Sequence, residues 1–270
     1  MIKLEHTDVV GWEAAIRGMR NPMNSWEKSD SGFCETNGPG RCEDCVYVKD
    51  CGGDYVDICT RYIIGPRDHE LLMKLRNAGT DHRKFMRMIV VYLDITAPLY
   101  WWKEFDTYKV GTVVNSCSTM HKIHAKEFTL EDFSHDHMTP YSLIVLEDAI
   151  NALNELRAFY LNWNSINDAT RKVNEWNDKK DIWWQMIQLL PSSYNQKRTV
   201  MLSYEVLANI YFSRKNHKLD EWIEFCKWIE GLPYSELITG ASLNDIPICN
   251  EIMEEAKRRV ANEENQNNEC

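Results

Sequence analysis

The sequence lacks any apolar run near the ~20 residues that a membrane-spanning helix requires, so no membrane partner is expected. Its opening residues, MIKLEHTDVVGW, lack the apolar core of a secretory signal. The expected location is therefore cytoplasmic. Basic charge is in deficit, with 31 Lys and Arg against 41 Asp and Glu and a net charge of -10. A general nucleic-acid or anionic-membrane binder needs a basic face, so no nucleic-acid partner is expected. A local basic pocket for one phosphate is still allowed. Cysteine is not scarce, but its nine copies are an odd number, so complete intrachain pairing is impossible. In the cytoplasm these are thiols or metal ligands rather than disulfides. Hydrophobic content of 44% and 10 Trp suit a packed globular chain that buries a full core.

Taken in order, Thr7 or Asp8 is placed to cap a helix over Val9 to about Arg20, stopped by Asn21-Pro22. A long irregular region follows, to about Ile63, and it carries Cys34, Cys42, Cys45, Cys51 and Cys59. Cys42-x-x-Cys45 with Cys51 and Cys59 suits one tetrahedral zinc, with an iron–sulfur cluster or idle thiols as alternatives. Pro66 to Ala78 reads as a helix, and Arg83, Lys84 and Arg87 form a basic cluster, either a solvated edge or a phosphate partner. Met86 to Thr96 is the best strand, with Met88, Val90, Tyr92 and Asp94 on one face. His121-x-x-His124 and His135-x-His137 are either ligand pairs or exposed loop histidines. Pro140 to about Trp163 is a long amphipathic helix, Asn162 to Lys180 a polar connection, and Ile182 to Leu190 a short helix. A strand over Arg198 to Leu202 and helices over Ser203 to Asn216 and Leu219 to Ile229 complete the pattern. A further helix over Ile252 to Val260 and a disordered last ten residues are expected.

The chain is organised around Ala97 to Lys122, APLYWWKEFDTYKVGTVVNSCSTMHK. Pro98 favours the first turn of a helix, and Leu99, Tyr100, Trp101, Trp102 and Phe105 follow it. Beyond Gly111 and a short β-branched run, Asn115 to Thr119 supply a row of small hydrogen-bonding groups. Such an arrangement suits the wall and floor of a small-molecule site. The same composition suits an aromatic core helix followed by an ordinary polar turn.

The order of these features resembles the flavin-dependent thymidylate synthases. Their signature is a Pro-aromatic helix, then Arg-His-Arg, then Ser-x-Asn-Glu-x-Ser-x-Arg. Pro98 through Phe105 matches the helix, and Thr107-Tyr108-Lys109 stands at the triplet. Ser118 stands at the second Ser, Asn115 at the Asn after a one-residue insertion, and Met120 at the final Arg. Leu190-Pro191 matches a Leu-Pro element. Leu207, Asn209 and Arg214 fall in register with the closing Asn-x-Arg-x-Leu-x-Asn-Phe-x-x-x-Arg motif, with Ser203 and Glu205 at its first Asn and Arg.

The resemblance implies an α+β fold, with a mixed or antiparallel sheet flanked by helices. It implies one domain over residues 1–240 with a Cys-rich insertion at about 30–62, a helical or disordered tail over 241–270, and a homotetramer. It implies FAD, methylenetetrahydrofolate as carbon donor, and a pyrimidine nucleotide, dUMP, converted to dTMP or a related 5-substituted product. Carried over residue by residue, it assigns Ser118, Tyr108 and Lys109 as catalytic. FAD contacts fall on Thr107, Tyr108, Lys109, Ser203, Glu205 and Asn209. Substrate contacts fall on Lys103, Glu104, Ser116, Ser118 and Arg214. Cys117 is either a thiolate for the ring or a small core thiol. A nucleotide-binding or regulatory protein that lost the methyltransferase chemistry is the alternative. A structural or interaction protein working through its cysteine loop is the third possibility.

Overall fold

The computed structural model describes residues 2–33 and 62–240. The candidate zinc ligands Cys42, Cys45, Cys51 and Cys59 and the 241–270 tail lie outside the described residues. Strands are β1 (Lys3–Val10), β2 (Gly32–Phe33), β3 (Tyr62–Ile63), β4 (Val90–Pro98), β5 (Thr112–Ser116) and β6 (Asn195–Ser203). Helices are α1 (Trp12–Arg20), α2 (Pro66–Asn77), α3 (Leu99–Phe105), α4 (Thr119–Lys122) and α5 (Pro140–Leu161). They continue as α6 (Asp168–Val173), α7 (Lys179–Leu189), α8 (Tyr204–Arg214), α9 (Asp220–Glu230) and α10 (Glu236–Thr239). The fold is α+β, with an antiparallel β5–β6 pair in its main sheet. No described helix is long and apolar enough to cross a membrane.

The residues divide into two compact units. Among the described residues, unit 1 draws on 2–8, 91–202 and 214–228, and unit 2 draws on 9–33, 62–90, 203–213 and 229–240.

Unit 1 is built on a four-stranded sheet in the order β1-β4-β6-β5. β4 alternates as a half-buried strand should: Val91, Leu93, Ile95 and Ala97 are buried, while Tyr92 is exposed. The face shared by Val90, Tyr92 and Asp94 is thus the outer one. On it Asp94 accepts from the Thr199 hydroxyl at 2.7 Å and meets Lys197 Nζ at 3.0 Å. Lys197 also lies 3.6 Å from Glu5, so one lysine ties β6 to both β4 and β1. β5 pairs with β6 from Thr112↔Leu202 to Ser116↔Arg198. α5 begins on Thr139, whose side chain caps Ser142, with Pro140 in its first turn. Its buried stripe of Leu146, Ile150 and Leu153 shares a core with Ile123, Phe128, Phe133 and Met186.

In unit 2, α1 buries Trp12, Ala15, Ile16 and Met19. Trp12 meets Tyr204 and Tyr234 edge-on, with centroids at 5.3 and 5.1 Å. Arg20 also turns inward, and its guanidinium reaches Asp68 Oδ1 at 2.6 Å. Asp68 Oδ2 accepts from the Ser29 and Ser31 hydroxyls, each at 2.6 Å, and from the Asp30 and Ser31 backbone N–H groups at 3.1 Å. Asp30 in turn accepts from the N–H groups of Arg67 and Asp68 in the first turn of α2.

Two elements differ from the sequence expectation. Lys3–Val10 is a strand, and α1 starts only at Trp12. Gly11 separates them with φ of 96°, a left-handed conformation that glycine adopts without strain. The polar connection after Leu161 contains α6, begun by Asn167 capping Thr170. Local side-chain capping, not apolar periodicity, starts that turn.

Candidate functional site

α3 is the hub of unit 1. Trp101, Trp102 and Phe105 are all buried. Trp101 packs against Trp102, Phe105, Trp222 and Phe225 at centroid distances of 4.9, 5.1, 4.7 and 5.7 Å. Tyr100 and Glu104 of α3 reach α9. The Tyr100 hydroxyl donates to Glu221. Burial, and then the Glu221 carboxylate, push the Tyr100 phenol well above its usual range. One turn on, Glu104 Oε2 accepts from Trp222 Nε1 at 3.0 Å.

Glu104 and Tyr108 together hold Arg214. The Arg214 Nε donates to the Tyr108 hydroxyl at 2.9 Å, and its NH1 donates to Glu104 Oε2 at 2.6 Å. The guanidinium carbon lies 4.8 Å from the Trp222 ring centre and 5.7 Å from that of Tyr108. His217 Nε2 is 3.4 Å from the same Glu104 oxygen. Three residues singled out in the sequence, Glu104, Tyr108 and Arg214, therefore converge. The sequence reading missed His217, which has no motif around it, and placed Trp222 only within the helix expected over Leu219 to Ile229.

The neighbouring predicted residues are less engaged. Lys103, Lys109 and Ser116 are exposed. Thr107 is exposed, and its hydroxyl donates to the Glu104 carbonyl at 2.7 Å. Ser118 is exposed, and its hydroxyl caps α4 by accepting from the His121 N–H at 3.1 Å. Cys117 is exposed rather than a core thiol. Its carbonyl accepts from the Gln196 side chain at 2.9 Å. Arg198, which the sequence reading treated only as a strand residue, lies opposite Ser116 in the register. It donates to Asp106 at 2.8 Å and to Gln196 at 2.9 Å, with its guanidinium 4.1 Å from the Trp102 ring centre.

The remaining predicted positions lie in unit 2. Ser203 and Glu205 are buried, and Asn209 is exposed. The Ser203 hydroxyl accepts from the Val206 N–H at 3.4 Å, a helix-start contact. Glu205 pairs with Arg83, whose Nε is 3.2 and 3.0 Å from the two carboxylate oxygens. One member of the basic cluster is thereby a counter-ion within the fold.

Unit 1 also contains a cavity of about 570 Å³, lined by Tyr100, Ser134, His135, Asp136, His137, Met138, Pro191, Ser192, Ser193, Asp220, Glu221 and Glu224. His137 Nε2 lies 2.9 Å from Asp220, and His135 Nδ1 lies 2.9 Å from the Phe133 carbonyl. The His124 ring lies tilted against that of Tyr160, with centroids 4.6 Å apart. Burial first, then Lys179, Lys122 and Arg157, hold its imidazole below the usual range. Among the described residues, no group of three His, Cys, Asp or Glu side chains is arranged to hold a metal ion.

No family model matches the sequence, and no curated protein matches it. Solved structures do match by fold. Thymidylate synthase X from Helicobacter pylori, crystallised with FAD and dUMP, aligns over 89% of this chain and 98% of its own, with a TM-score of 0.56 at 15% identity. A second structure of that enzyme, described as flavin-dependent and complexed with the same two ligands, gives 88%, 98%, 0.55 and 16%. A UMP/dUMP methylase from Streptomyces cacaoi, bound with 5-Br dUMP, aligns over 86% of this chain and 89% of its own at 11% identity; its TM-score of 0.46 is too low to bear on the fold. The α+β chain described here has the fold of the flavin-dependent thymidylate synthase from Helicobacter pylori.

Proposed function

We propose that this chain is a divergent flavin-dependent thymidylate synthase-like enzyme acting on a pyrimidine deoxynucleotide. The reaction would take dUMP to dTMP or a related 5-substituted product, with methylenetetrahydrofolate as carbon donor and FAD as hydride carrier. One observation carries the reading: Arg214, which the resemblance assigns to the nucleotide, is held by Glu104 and Tyr108 of the signature helix and triplet. In such chemistry the cofactor supplies the hydride, and the protein binds and polarises. Lys103, Lys109, Arg214 and Tyr108 are donors in unit 1 suited to stabilise charge developing on a pyrimidine oxygen. A homotetramer is proposed with this reading, as is zinc at Cys42, Cys45, Cys51 and Cys59.

The flavin fit is partial. Thr107 and Lys109 in unit 1 and Asn209 in unit 2 are exposed and open to a ligand. Ser203 and Glu205 are buried and bonded within the fold. A buried carboxylate where the resemblance places a flavin-binding arginine favours a second reading, a nucleotide-binding or regulatory protein without the methyl transfer.

Titration of the purified protein with FAD and with dUMP separates the two. Bound yellow chromophore, or saturable FAD binding together with dUMP binding, supports the enzyme. A thermal shift with dUMP and none with FAD supports the regulatory protein. Neither ligand binding refutes both. Elemental analysis of protein purified without oxygen tests the zinc, and light scattering tests the tetramer.

A further inference from the structure

Both arginines beside α3 are already matched by a carboxylate from that helix or its end. Arg198 NH1 meets Asp106 Oδ1 at 2.8 Å, and Arg214 NH1 meets Glu104 Oε2 at 2.6 Å. Each guanidinium also rests on an indole, Trp102 or Trp222. Glu104 is the more heavily committed acid. Its Oε2 receives Arg214 and Trp222 Nε1 and lies 3.4 Å from His217 Nε2. Three nitrogens around one carboxylate oxygen form a filled anion position. A phosphate brought to Arg214 would compete for the same donors and be repelled by the Glu104 charge. Both side chains of the pair are largely shielded, at 19% and 34% exposure, so water and salt screen that repulsion only in part.

We propose that Glu104 is an internal anion that keeps phosphate off Arg214 and so determines specificity at this site. Arg214 then receives an uncharged acceptor of the ligand, and any phosphate of the ligand is bound elsewhere. The assignment of a ligand group deepens the nucleotide reading and rests on it. The exclusion of anions by Glu104 does not.

The test uses inorganic phosphate as the probe and isothermal titration of the full chain. Glu104→Gln removes the charge and keeps an oxygen for the Trp222 indole N–H. Phosphate affinity is expected to rise at least tenfold in Glu104→Gln, and the gain should vanish when Arg214→Ala is added. An unchanged affinity, or a gain that survives Arg214→Ala, overturns the proposal. If the variant does not fold, the wild-type protein still decides. A large excess of phosphate should leave the reaction of Arg214 with phenylglyoxal at its phosphate-free extent, read by peptide mass spectrometry; protection of Arg214 overturns the proposal. Titrating dUMP and deoxyuridine in parallel separates the two layers. Gained phosphate binding with no affinity for either dUMP or deoxyuridine upholds the internal anion and refutes the nucleotide reading.

Discussion

Asp68→Ala is expected to destabilise unit 2 by about 3–5 kcal/mol, the range for removing one partner of a buried ion pair. The geometry places it in that range. The Asp68 side chain is fully buried and the Arg20 side chain is 6% exposed, so the guanidinium would be left buried without this counter-ion. Two serine hydroxyls and two backbone N–H groups would also lose their acceptor. Asp68→Asn retains one side-chain carbonyl oxygen and should cost about half as much. Burial alone would raise the Asp68 carboxyl, but Ser29, Ser31 and Arg20 outweigh it and hold the group below its ordinary value of 3.8. A depressed folded-state value means that the contribution is complete above the unfolded value and fades as pH falls through the folded one. Urea unfolding followed by tryptophan emission, repeated from neutral to acid pH, measures both effects. A loss below about 1 kcal/mol for Asp68→Ala, or an acid dependence identical to wild type, would refute the reasoning.

Arg214→Ala should weaken dUMP binding by about 1–3 kcal/mol, the worth of a hydrogen bond from a charged donor; isothermal titration reads it, and unchanged affinity counts against the site. Trp101→Ala should cost about 3–5 kcal/mol of stability by opening a cavity among Trp102, Phe105, Trp222 and Phe225. Trp101→Phe should cost well under half of that, because the buried indole N–H has no hydrogen-bond partner among the described residues; thermal melts compare the two. Gly11→Ala should cost at least about 2 kcal/mol, since φ is +96° and the new Cβ would lie 2.1 Å from the Met88 carbonyl oxygen; a melting temperature equal to wild type would contradict this.

The parts of the fold legible in the sequence are those with a local cause. Pro98 and the aromatic run announced α3, and the β-branched, apolar run from Met86 to Thr96 announced β4, though β4 begins four residues later, at Val90. β1 was not legible because its residues are mostly exposed and polar, and the neighbouring strand rather than its own pattern makes it a strand. At the candidate site, Glu104, Tyr108 and Arg214 were each singled out, yet nothing local joins positions 110 residues apart into an ion pair. The pairing of Glu205 with Arg83 was hidden for the same reason, at a separation of 122. Tertiary electrostatics leaves no period to count.

The placement of Arg214 over the indole of Trp222 makes the site optically self-reporting. A cation above an indole perturbs its excited state, so any molecule that draws the guanidinium aside changes the emission of that tryptophan. Subtracting the spectrum of Trp222→Phe isolates the signal from the other nine tryptophans. Occupancy can then be followed in real time without label, dye or turnover.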